Sequence, residues 1–369
     1  MSAGMRLIAA QELEQLVTDI FARAGCSSAE SQRIGHYLIG ANLAGHDSHG
    51  VVRVPRYLQM LGDGRMLADQ QVERLVDTPA LAVIDGKFGF GQTVAPQAVE
   101  VGIEKCRQIG LSAVALRNSG HIGRVGDWAE MAAKAGFVSV HFVNAAGSVL
   151  VAPFGSFERR FSTAPFCIGV PLNGRSPLVL DFATSIVAEG KVMVASQGGK
   201  AIPEDALIGP DGRESNDPSL LYGDTAPGEL RDPRKGAGAI RAFGEHKGSG
   251  LALMCEVLGG ALSGNGCTAP NKRFANGMFS FYVDPARIDP EELFSPEVAR
   301  YVDFVKAAKP SQAGTETLTP GEAEQRSAAK RRAEGVPLPA DTWSALMDAA
   351  RSVKLDANRL KQAEQAARS

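Results

Sequence analysis

The strongest constraint on the fold is a change of pattern near residue 76, where short apolar segments begin to alternate with helical ones. The segments "LAVIDG", "LSAVALRN" and "GFVSVHFVN" have the apolar and β-branched composition of strands. Between them, "TVAPQAVEVGIEKCRQIG" and "VGDWAEMAAKAG" have helical spacing, and "GVPL" and "PLVLDFAT" suggest a further pair of short strands. Alternation of this kind predicts an α/β domain over residues 76–289.

Both ends of the chain are instead helical in pattern. One helix is predicted over residues 10–24, a second from Ser28 to Ala44 with Ser27 or Ser28 as its N-cap, and a third after "GHDSHG". Near the other end, "PGEAEQRSAAKRRAEG" and "DTWSALMDAARS" predict two more helices. A chain of 369 residues is long for a single core. We therefore expect residues 1–75 and 290–369 to form a helical domain together.

Two further segments carry specific expectations. Residues 197–235 are rich in Gly, Pro, Asp and Ser, which predicts an extended surface excursion. The segment "KGSGLALMCEVLGGALSG" is nearly all apolar and predicts a long buried helix, in which Cys255 is interpreted as a small core residue. The basic cluster at residues 330–332 has the pattern of a solvated helix face.

Composition excludes several classes of protein. The formal charge is −2, so no general attraction to nucleic acid or to an anionic membrane is expected. No apolar stretch approaches the length of a membrane span, and the first residues lack the pattern of a secretory leader. The five cysteines form no CxxC pair, which favours a reducing, cytoplasmic compartment.

A glycine cluster after the first predicted strand imitates a dinucleotide-binding fingerprint without matching it. The glycines are Gly86, Gly89 and Gly91, and position 94 is valine, so GxGxxG is not met. The next predicted strand ends in "RN", where a ribose-binding carboxylate would be required. We interpret the cluster as a glycine-rich turn.

Two polar segments could carry chemistry. "GHDSHGVVR" contains His46 and His49 at a spacing that a metal could use, but no third or fourth ligand stands nearby, so no metal is expected. "NSGHIGRVGDW" places His121 after a predicted strand and before a helix, a usual position for active-site groups. The amides of residues 123–125 lie near the N-terminus of that helix, where a phosphate would be favoured. Each segment also has a purely structural interpretation as a cap or turn.

Five ordered stretches together resemble one family over nearly the whole chain. They are "ANLAGHDSHGVVRVPRY", "VALRNSGHIGRVGDWAE", "LDFATS", "EHKGSGLALMCEVLGGALSG" and "LTPGEAEQR". The chain resembles the malate/L-lactate (ureidoglycolate/L-sulfolactate) dehydrogenase family, and looks most similar to its hydroxycarboxylate dehydrogenase B branch. The resemblance implies an α/β (α+β) fold of the L-sulfolactate dehydrogenase type, which binds nicotinamide without a Rossmann fingerprint. That fold combines a two-layer α/β domain with a helical domain built from both chain ends.

The resemblance also implies roles for individual residues. His121 is the implied proton donor or acceptor, and His49, Arg53 and Tyr57 line the implied pocket for substrate and nicotinamide. The implied cofactor-binding residues are His49, Gly123, Arg124, Val125, Asp181, Phe182, Ala183, Thr184, Ser185, Lys247, Asn276, Gly321, Glu322, Ala323 and Glu324. Ala145 and Ala146 depart from members that carry a serine or aspartate there, so no acidic partner for His121 is implied at that place.

The implied activity is an NAD(P)-dependent interconversion of 2-hydroxy acids and 2-oxo acids. A histidine titrating near neutrality would move the proton, and a planar arginine would hold the substrate carboxylate. NAD is the expected cofactor, with NADP as the alternative, and the family resemblance implies a homodimer. Two alternatives are a reductase of cyclic imino acids of the piperideine-2-carboxylate type and a catalytically silent ligand-binding homologue.

Overall fold

The computed structural model describes residues 5–224, 231–312 and 314–367. Its α-helices are α1 (Ala10–Arg23), α2 (Ser28–Leu43), α3 (Val54–Gly62), α4 (Gly91–Ile109), α5 (Gly126–Lys134), α6 (Glu189–Ser196), α7 (Ser219–Tyr222), α8 (His246–Cys255), α9 (Pro285–Ile288), α10 (Phe294–Lys306), α11 (Glu322–Glu334), α12 (Ala340–Ser352) and α13 (Ala357–Ala366). Its β-strands are β1 (Met5–Ile8), β2 (Glu73–Asp77), β3 (Leu81–Asp85), β4 (Leu111–Ser119), β5 (Val138–Ala146), β6 (Val151–Ala152), β7 (Pro165–Val170), β8 (Leu178–Ala183), β9 (Leu207–Ile208), β10 (Glu214–Ser215), β11 (Ala239–Arg241), β12 (Ala275–Val283) and β13 (Val336–Pro339).

A seven-stranded mixed sheet forms the centre of the α/β part, in the order β2-β3-β4-β12-β5-β7-β8. Strands β3 and β4 are parallel and are joined by α4, whereas β12 runs antiparallel to both of its neighbours, β4 and β5. Helices α4 and α5 pack against this sheet around the buried Trp128 and Val99. A mixed sheet with helices, beside a helical part, confirms the α/β (α+β) class predicted from the sequence.

Helices from both ends of the described chain share one apolar core. Leu16 of α1, Leu38 of α2 and Leu346 of α12 are buried in the same cluster. Strand β1 also pairs antiparallel with β13, which ties the two ends together and was not predicted. Phe90, which precedes α4, lies in this cluster too. The domain boundaries proposed from the sequence, near residues 75 and 290, stay a prediction.

The first two helices begin where the sequence predicts. Helix α2 starts after Ser27, whose hydroxyl oxygen accepts a hydrogen bond from the backbone N–H of Glu30 at 3.3 Å. That bond satisfies one of the amides that a helix N-terminus leaves without an intrahelical partner. Helix α4 ends at Gly110, whose φ of +90° is readily adopted by glycine. Local chemistry therefore decides these boundaries.

The expectation of an extended surface excursion over residues 197–235 is wrong for its described part. Strands β9 and β10 join β11 and β6 in a second sheet of four strands. Leu207, Leu221 and Tyr222 are buried against Val151 and Ile240 in a separate small core. Gly and Pro are frequent in this segment because it turns often, but its few apolar side chains are sufficient to fold it onto the body of the protein.

The apolar segment before residue 264 is not the uniformly buried helix that its composition predicts. It divides into α8 and a π-helical segment, Glu256–Leu262. Cys255 is fully buried, as expected, but Leu253, Met254 and Leu262 are 46%, 45% and 57% exposed. The segment packs against β5, β12 and β7 of the large sheet, and its exposed apolar side chains are uncovered in the single chain.

Candidate active site

His121 lies in a turn just beyond the end of β4, and glycines allow this turn to approach the glycine cluster closely. A Cβ atom added to Gly91 would collide with the backbone carbonyl of His121, and one added to Gly120 would lie 2.6 Å from the carbonyl oxygen of Gly89. The glycine cluster therefore seats the turn that carries His121, which is a structural reason for glycine there. This agrees with the interpretation of the cluster as a glycine-rich turn.

Asn276 of β12 holds the residue next to His121. Its side-chain Oδ1 accepts a hydrogen bond from the backbone N–H of Ile122 at 3.1 Å, and its Nδ2 donates to the carbonyl oxygen of Asn144 at 2.7 Å. Asn276 also lines the cleft described below. The side chain thus fixes the turn after β4, in addition to the cofactor contact implied for it.

The segment "DSHGVVR" forms two short 3-10 turns, Asp47–His49 and Val51–Arg53, that lead directly into α3. Asn42 of α2 fixes both turns: its Nδ2 donates to Asp47 Oδ1 at 2.7 Å, and its Oδ1 accepts from the backbone N–H of Val51 at 2.9 Å. Gly50 stands where any Cβ would collide with the Asn42 amide. The arrangement presents His49 and Arg53 toward the turn after β4.

These two segments meet at the side chains implied for catalysis. The hydroxyl of Tyr57 lies 2.6 Å from Nδ1 of His121, and Gln92 Nε2 donates to the same hydroxyl at 3.1 Å. The ring of His49 stacks on that of His121 with centroids 5.5 Å apart, and Ser48 Oγ lies 3.0 Å from His49 Nδ1. Sequence reasoning did not single out Gln92, which is fully buried in the first turn of α4.

Arg53 is held by two partners. Its Nε donates to the carbonyl oxygen of Ser48 at 2.6 Å, and its Nη1 donates to Glu189 Oε2 at 3.2 Å. The other oxygen of Glu189 accepts from the Tyr222 hydroxyl at 2.7 Å. Arg53 Nη2 has no hydrogen-bond partner within the part of the chain that the structure describes. Glu189 was missed, since nothing near it in the sequence connects it with a residue 136 positions away.

Burial favours the neutral forms of His121, His49 and Tyr57, although the charged Arg53 lies beside them. It lowers the pKa of His121 to about 3, with the positive charge of Arg53 acting in the same direction. Burial likewise lowers the pKa of His49 well below its usual value and raises the pKa of Tyr57 to about 12. The expectation of a histidine that titrates near neutrality is therefore wrong for the ligand-free site.

The candidate substrate residues share one cleft of about 1100 Å³. Its lining includes His49, Arg53, Tyr57 and His121, together with Gly123, whose φ is +70°. The four side chains implied for substrate binding and proton transfer thus converge in space. Within "GHDSHGVVR", His49 and Arg53 face this cleft, whereas His46 and Asp47 bond to Glu324 and Arg331.

Arg124 and Val125, also implied for cofactor binding, are buried and do not line this cleft. Arg124 is buried, and its Nη1 donates to Asp127 and Glu130 at 2.8 Å each. Burial raises the pKa of Asp127 to about 7, although Arg124 opposes that shift. Val125 is buried immediately before α5. Both bonds are made by Nη1, which ties Arg124 to the first turns of α5, whereas its buried Nε has no hydrogen-bond partner in the described part of the chain.

The "DFATS" segment at the end of β8 is also tied into the fold. Asp181 Oδ2 accepts from the backbone N–H of Gly126 at 2.7 Å, Thr184 Oγ1 donates to Ala164 O at 2.8 Å, and Ser185 Oγ donates to Val187 O at 2.7 Å. Phe182 packs in a T-shape on its aromatic neighbours, and Ala183 pairs across to β7. None of the five lines the cleft within the described residues.

The "PGEAE" segment contacts His46, whose ring centroid lies 6.4 Å from that of His49. Glu324 Oε1 lies 3.1 Å from Nε2 of His46, and this contact lowers the pKa of Glu324. Glu322 pairs with Lys306 and Arg326, and Gly321 has a φ of +90° where the segment passes β8. Ala323 follows in the first turn of α11.

Two further expectations concern charged side chains farther from His121. Arg331 is not part of a purely solvated helix face, because its Nη2 donates to Asp47 Oδ2 at 3.0 Å and it is largely buried. Lys247 is exposed in the first turn of α8 and is not among the residues that line the cleft. Lys247 therefore lies outside the lining of the cleft.

No group of three His, Cys, Asp or Glu side chains in the described ranges is arranged to hold a metal ion. His46 and His49 have ring centroids 6.4 Å apart, and each already has a polar neighbour. Across the same ranges, no helix combines the length and the apolarity that a membrane span requires.

Comparison with known proteins agrees with the resemblance stated above. A profile of the malate/L-lactate dehydrogenase family matches residues 8–347. The chain is 37% identical to hydroxycarboxylate dehydrogenase B of Escherichia coli K12 over 360 residues, which is 96% of each protein. It superposes on sulfolactate dehydrogenase of Methanocaldococcus jannaschii with a TM-score of 0.80 and 28% identity, covering 96% and 99% of the two chains. For δ1-piperideine-2-carboxylate reductase of Pseudomonas syringae the TM-score is 0.76 at 25% identity, covering 94% and 100%. The chain therefore belongs to the malate/L-lactate dehydrogenase family.

Proposed function

We propose that this dehydrogenase interconverts 2-hydroxy acids and 2-oxo acids by NAD(P)-dependent hydride transfer. The observation that carries the proposal is the convergence of Tyr57, His121 and Arg53 on one cleft, with the Tyr57 hydroxyl 2.6 Å from His121 Nδ1. A proton-transferring imidazole beside a guanidinium suits a substrate that carries a carboxylate next to a carbonyl or hydroxyl group.

Arg53 is the proposed anchor for the substrate carboxylate. Its Nε and Nη1 are fixed by Ser48 and Glu189, which orients the guanidinium without using Nη2 in any bond to the described chain. A guanidinium held in this way is preorganised, so a carboxylate can bind without first ordering the side chain. Glu189 would be a positioning residue for Arg53.

His121 is the proposed proton donor and acceptor. In reduction it gives a proton to the carbonyl oxygen on which negative charge develops, and in oxidation it takes the proton of the hydroxyl group. A carboxylate bound to Arg53 offsets the positive charge that helps to lower the pKa of His121. Substrate binding is therefore expected to raise that pKa and make protonated His121 more accessible.

The residues at the cleft fit a nicotinamide cofactor. A volume of about 1100 Å³ lies at the upper limit of small-molecule sites, so the cleft can accept a small acid together with part of a larger ligand. Bound nicotinamide supplies the hydride chemistry. His49 and Gly123 would line its pocket, and the exposed Lys247 at the N-terminus of α8 would favour a phosphate group. We propose NAD as the preferred cofactor, with NADP as the alternative.

A homodimer is part of the proposal. The outer face of α8 and the following π-helical segment exposes Leu253, Met254, Val257 and Leu262. An apolar face of this kind is usually covered by a partner surface. A second copy of the chain is the proposed partner, and sedimentation analysis of the purified protein tests it.

One comparison favours a second candidate function. The chain resembles δ1-piperideine-2-carboxylate reductase in fold, and a cyclic imino acid also presents a carboxylate beside a reducible carbon. Arg53 and His121 would serve that substrate in the same two ways. The two candidates therefore differ in substrate and share the chemistry of the site.

A substrate panel separates these candidates. Purified protein is assayed with 2-oxo acids and with cyclic imino acids by the absorbance of NADH and of NADPH. We expect oxidation of NADH with at least one 2-oxo acid and its loss in the His121→Asn variant. Turnover of cyclic imino acids alone would favour the second candidate. Folded protein that turns over neither class would indicate a catalytically silent homologue.

A further inference from the structure

Gln92 is a buried amide to which neither the sequence nor the family resemblance assigns a role in the site. It is fully buried, and its Nε2 donates to the Tyr57 hydroxyl at 3.1 Å. Its Oε1 is buried without a hydrogen-bond partner in the described part of the chain. A buried acceptor without a partner is costly and rare, and Oε1 is free to accept from Tyr57 if the amide group rotates.

The Tyr57 hydroxyl has one proton and two polar neighbours, Gln92 Nε2 and His121 Nδ1. An amide NH₂ group can only donate, so in this arrangement the hydroxyl accepts from Gln92 and gives its own proton to Nδ1. Neutral His121 must then carry its proton on Nε2. That tautomer can donate a hydrogen bond to a substrate oxygen, but it has no lone pair on Nε2 to receive a proton.

Rotation of the Gln92 amide by about 180° reverses the chain of hydrogen bonds. Oε1 then accepts the Tyr57 proton, and the hydroxyl accepts from Nδ1–H of His121. Nε2 of His121 can then take up or release a proton. When His121 is doubly protonated, its Nδ1–H still donates to Tyr57 and the Tyr57 hydroxyl still donates to Oε1. Since Tyr57 occupies Nδ1, Nε2 is the nitrogen that remains for exchange with a substrate.

We propose that Gln92 is a positioning residue whose side-chain amide selects, through the Tyr57 hydroxyl, which nitrogen of His121 carries the proton. The titratable and charged groups that face His121 are His49 and Arg53 from the two 3-10 turns and Tyr57 from α3. Gln92 carries no charge, so it acts by choosing the direction of one hydrogen bond. Only the catalytic consequence of this selection rests on the proposed function.

The selection is measured directly by ¹⁵N NMR of histidine-labelled, substrate-free protein at about pH 8, well above the usual carboxyl pKa. His121 is assigned from the signal that disappears in His121→Asn. In Gln92→Leu, Tyr57 has only His121 to donate to, so we expect the Nε2–H tautomer alone. In Gln92→Glu, the carboxylate accepts from Tyr57, so we expect the Nδ1–H tautomer. Identical His121 shifts in the two variants would overturn the proposal, whatever substrate the enzyme uses.

Kinetics test the catalytic consequence. Gln92→Leu should lower kcat for reduction by about tenfold. When His121 is protonated, its Nδ1–H donates to the Tyr57 hydroxyl, so the hydroxyl proton needs another acceptor. Without Gln92 that buried proton has none, which makes protonated His121 less stable. The same substitution in a Tyr57→Phe background should add no further loss. An equal loss in both backgrounds would mean that Gln92 acts through packing, which contradicts the proposal.

One control and one replacement variant keep this test decisive. Gln97→Leu changes another glutamine of α4 that bonds to Thr93 and Val72, away from His121, and should leave kcat and the His121 signals unchanged. If Gln92→Leu does not fold, Gln92→Met removes the amide with less change of shape. A panel in which no substrate turns over would count against the proposed function, while the tautomer measurement would still decide the role of Gln92.

Discussion

Two buried histidines of this protein have the same low pKa and very different surroundings. Burial lowers the pKa of His121 and of His141 to about 3 in both places. His141 lies inside β5, and its two ring nitrogens face Ser280 Oγ at 2.8 Å and Ser139 Oγ at 3.0 Å. His121 lines a cleft, and its Nε2 has no hydrogen-bond partner within the described residues.

The difference shows that a shifted pKa does not by itself mark a functional histidine. Burial is the largest cause of both pKa shifts. The shifts therefore show that the two histidines are desolvated, and they do not show which of them takes part in catalysis. What distinguishes His121 is a ring nitrogen left free at a cavity, beside a guanidinium. In His141 every ring nitrogen is satisfied by the fold, which is the expected condition of a structural histidine.

The largest effect that tests this comparison is the loss of His121. His121→Asn should lower turnover by roughly a hundred- to ten-thousand-fold, since general acid–base catalysis contributes about that much. Cofactor affinity, measured by fluorescence titration, should change little. The matched control is His141→Asn, which should lose stability but retain kcat. Normal turnover in His121→Asn would show that His121, like His141, has no catalytic role.

The next effect concerns Arg53, the charged neighbour that His141 lacks. Arg53→Lys keeps the charge but loses the planar guanidinium that Ser48 and Glu189 orient, and Arg53→Leu removes the charge altogether. A lost charge-assisted hydrogen bond costs about 1.5–3 kcal/mol, so KM for a 2-oxo acid should rise roughly ten- to more than a hundredfold in Arg53→Leu. Arg53→Lys should recover only part of this loss.

Two controls isolate the carboxylate contact of Arg53. Arg53→Leu leaves the largely buried Glu189 with Tyr222 as its remaining described partner, so its Tm should fall. The double variant Arg53→Leu/Glu189→Gln removes that unpaired charge and should recover stability without recovering KM. The neutral amide of the same substrate is the kinetic control. Equal weakening of acid and amide would show that Arg53 does not bind the carboxylate.

Both histidines should make stability depend on pH in the same direction. Their folded pKa of about 3 lies below the ordinary value of 6.5, so between these values the unfolded chain holds more protons. Their contribution is complete above pH 6.5 and is lost as pH falls toward 3. Between these pH values, each histidine changes the free energy of unfolding by at most about 1.4 kcal/mol per pH unit.

Denaturant unfolding between these pH values tests that dependence. His141→Gln removes one titrating group, so its free energy of unfolding should fall less steeply on acidification than that of the unchanged protein. The comparison is sharpened by adding a 2-oxo acid. Ligand should reduce the contribution of His121, whose pKa rises when Arg53 is neutralised, and should leave that of His141 unchanged. A slope that is identical in His141→Gln and the unchanged protein would contradict the buried, neutral state of His141.

The parts of the fold that local pattern predicts are those that local chemistry determines. Helix α2 with its Ser27 cap, and the strands β4 and β5, are found close to where the sequence indicates them. Strand β12 was not predicted, although it lies between β4 and β5, because its partners are more than 120 residues away in the sequence. The exposure of apolar side chains on α8 was also not predictable. An apolar sequence pattern does not show whether the surface that covers those side chains belongs to the same chain or to another.

In the candidate site, too, the residues within short motifs were predictable and the residues that support them were not. His49, Arg53, Tyr57 and His121 could be named from two short motifs, and the structure brings them together. Their supports could not be named, because Glu189 reaches Arg53 and Gln92 reaches Tyr57 only through the tertiary fold. The pKa of His121 was missed for the same reason, since burial is a property of the folded chain.

The smallest expected effect is that of a chelator, which should be none at either histidine. A metal needs at least three suitably placed protein ligands, and no such group exists among the described residues. His46 is occupied by Glu324 and His49 by Ser48, so the HxxH spacing is used for hydrogen bonds. Elemental analysis should find no stoichiometric metal, and kcat should be the same before and after chelation. Stoichiometric zinc whose removal abolishes turnover would instead make His46 and His49 ligands, and would require a third ligand that the fold does not now bring to them.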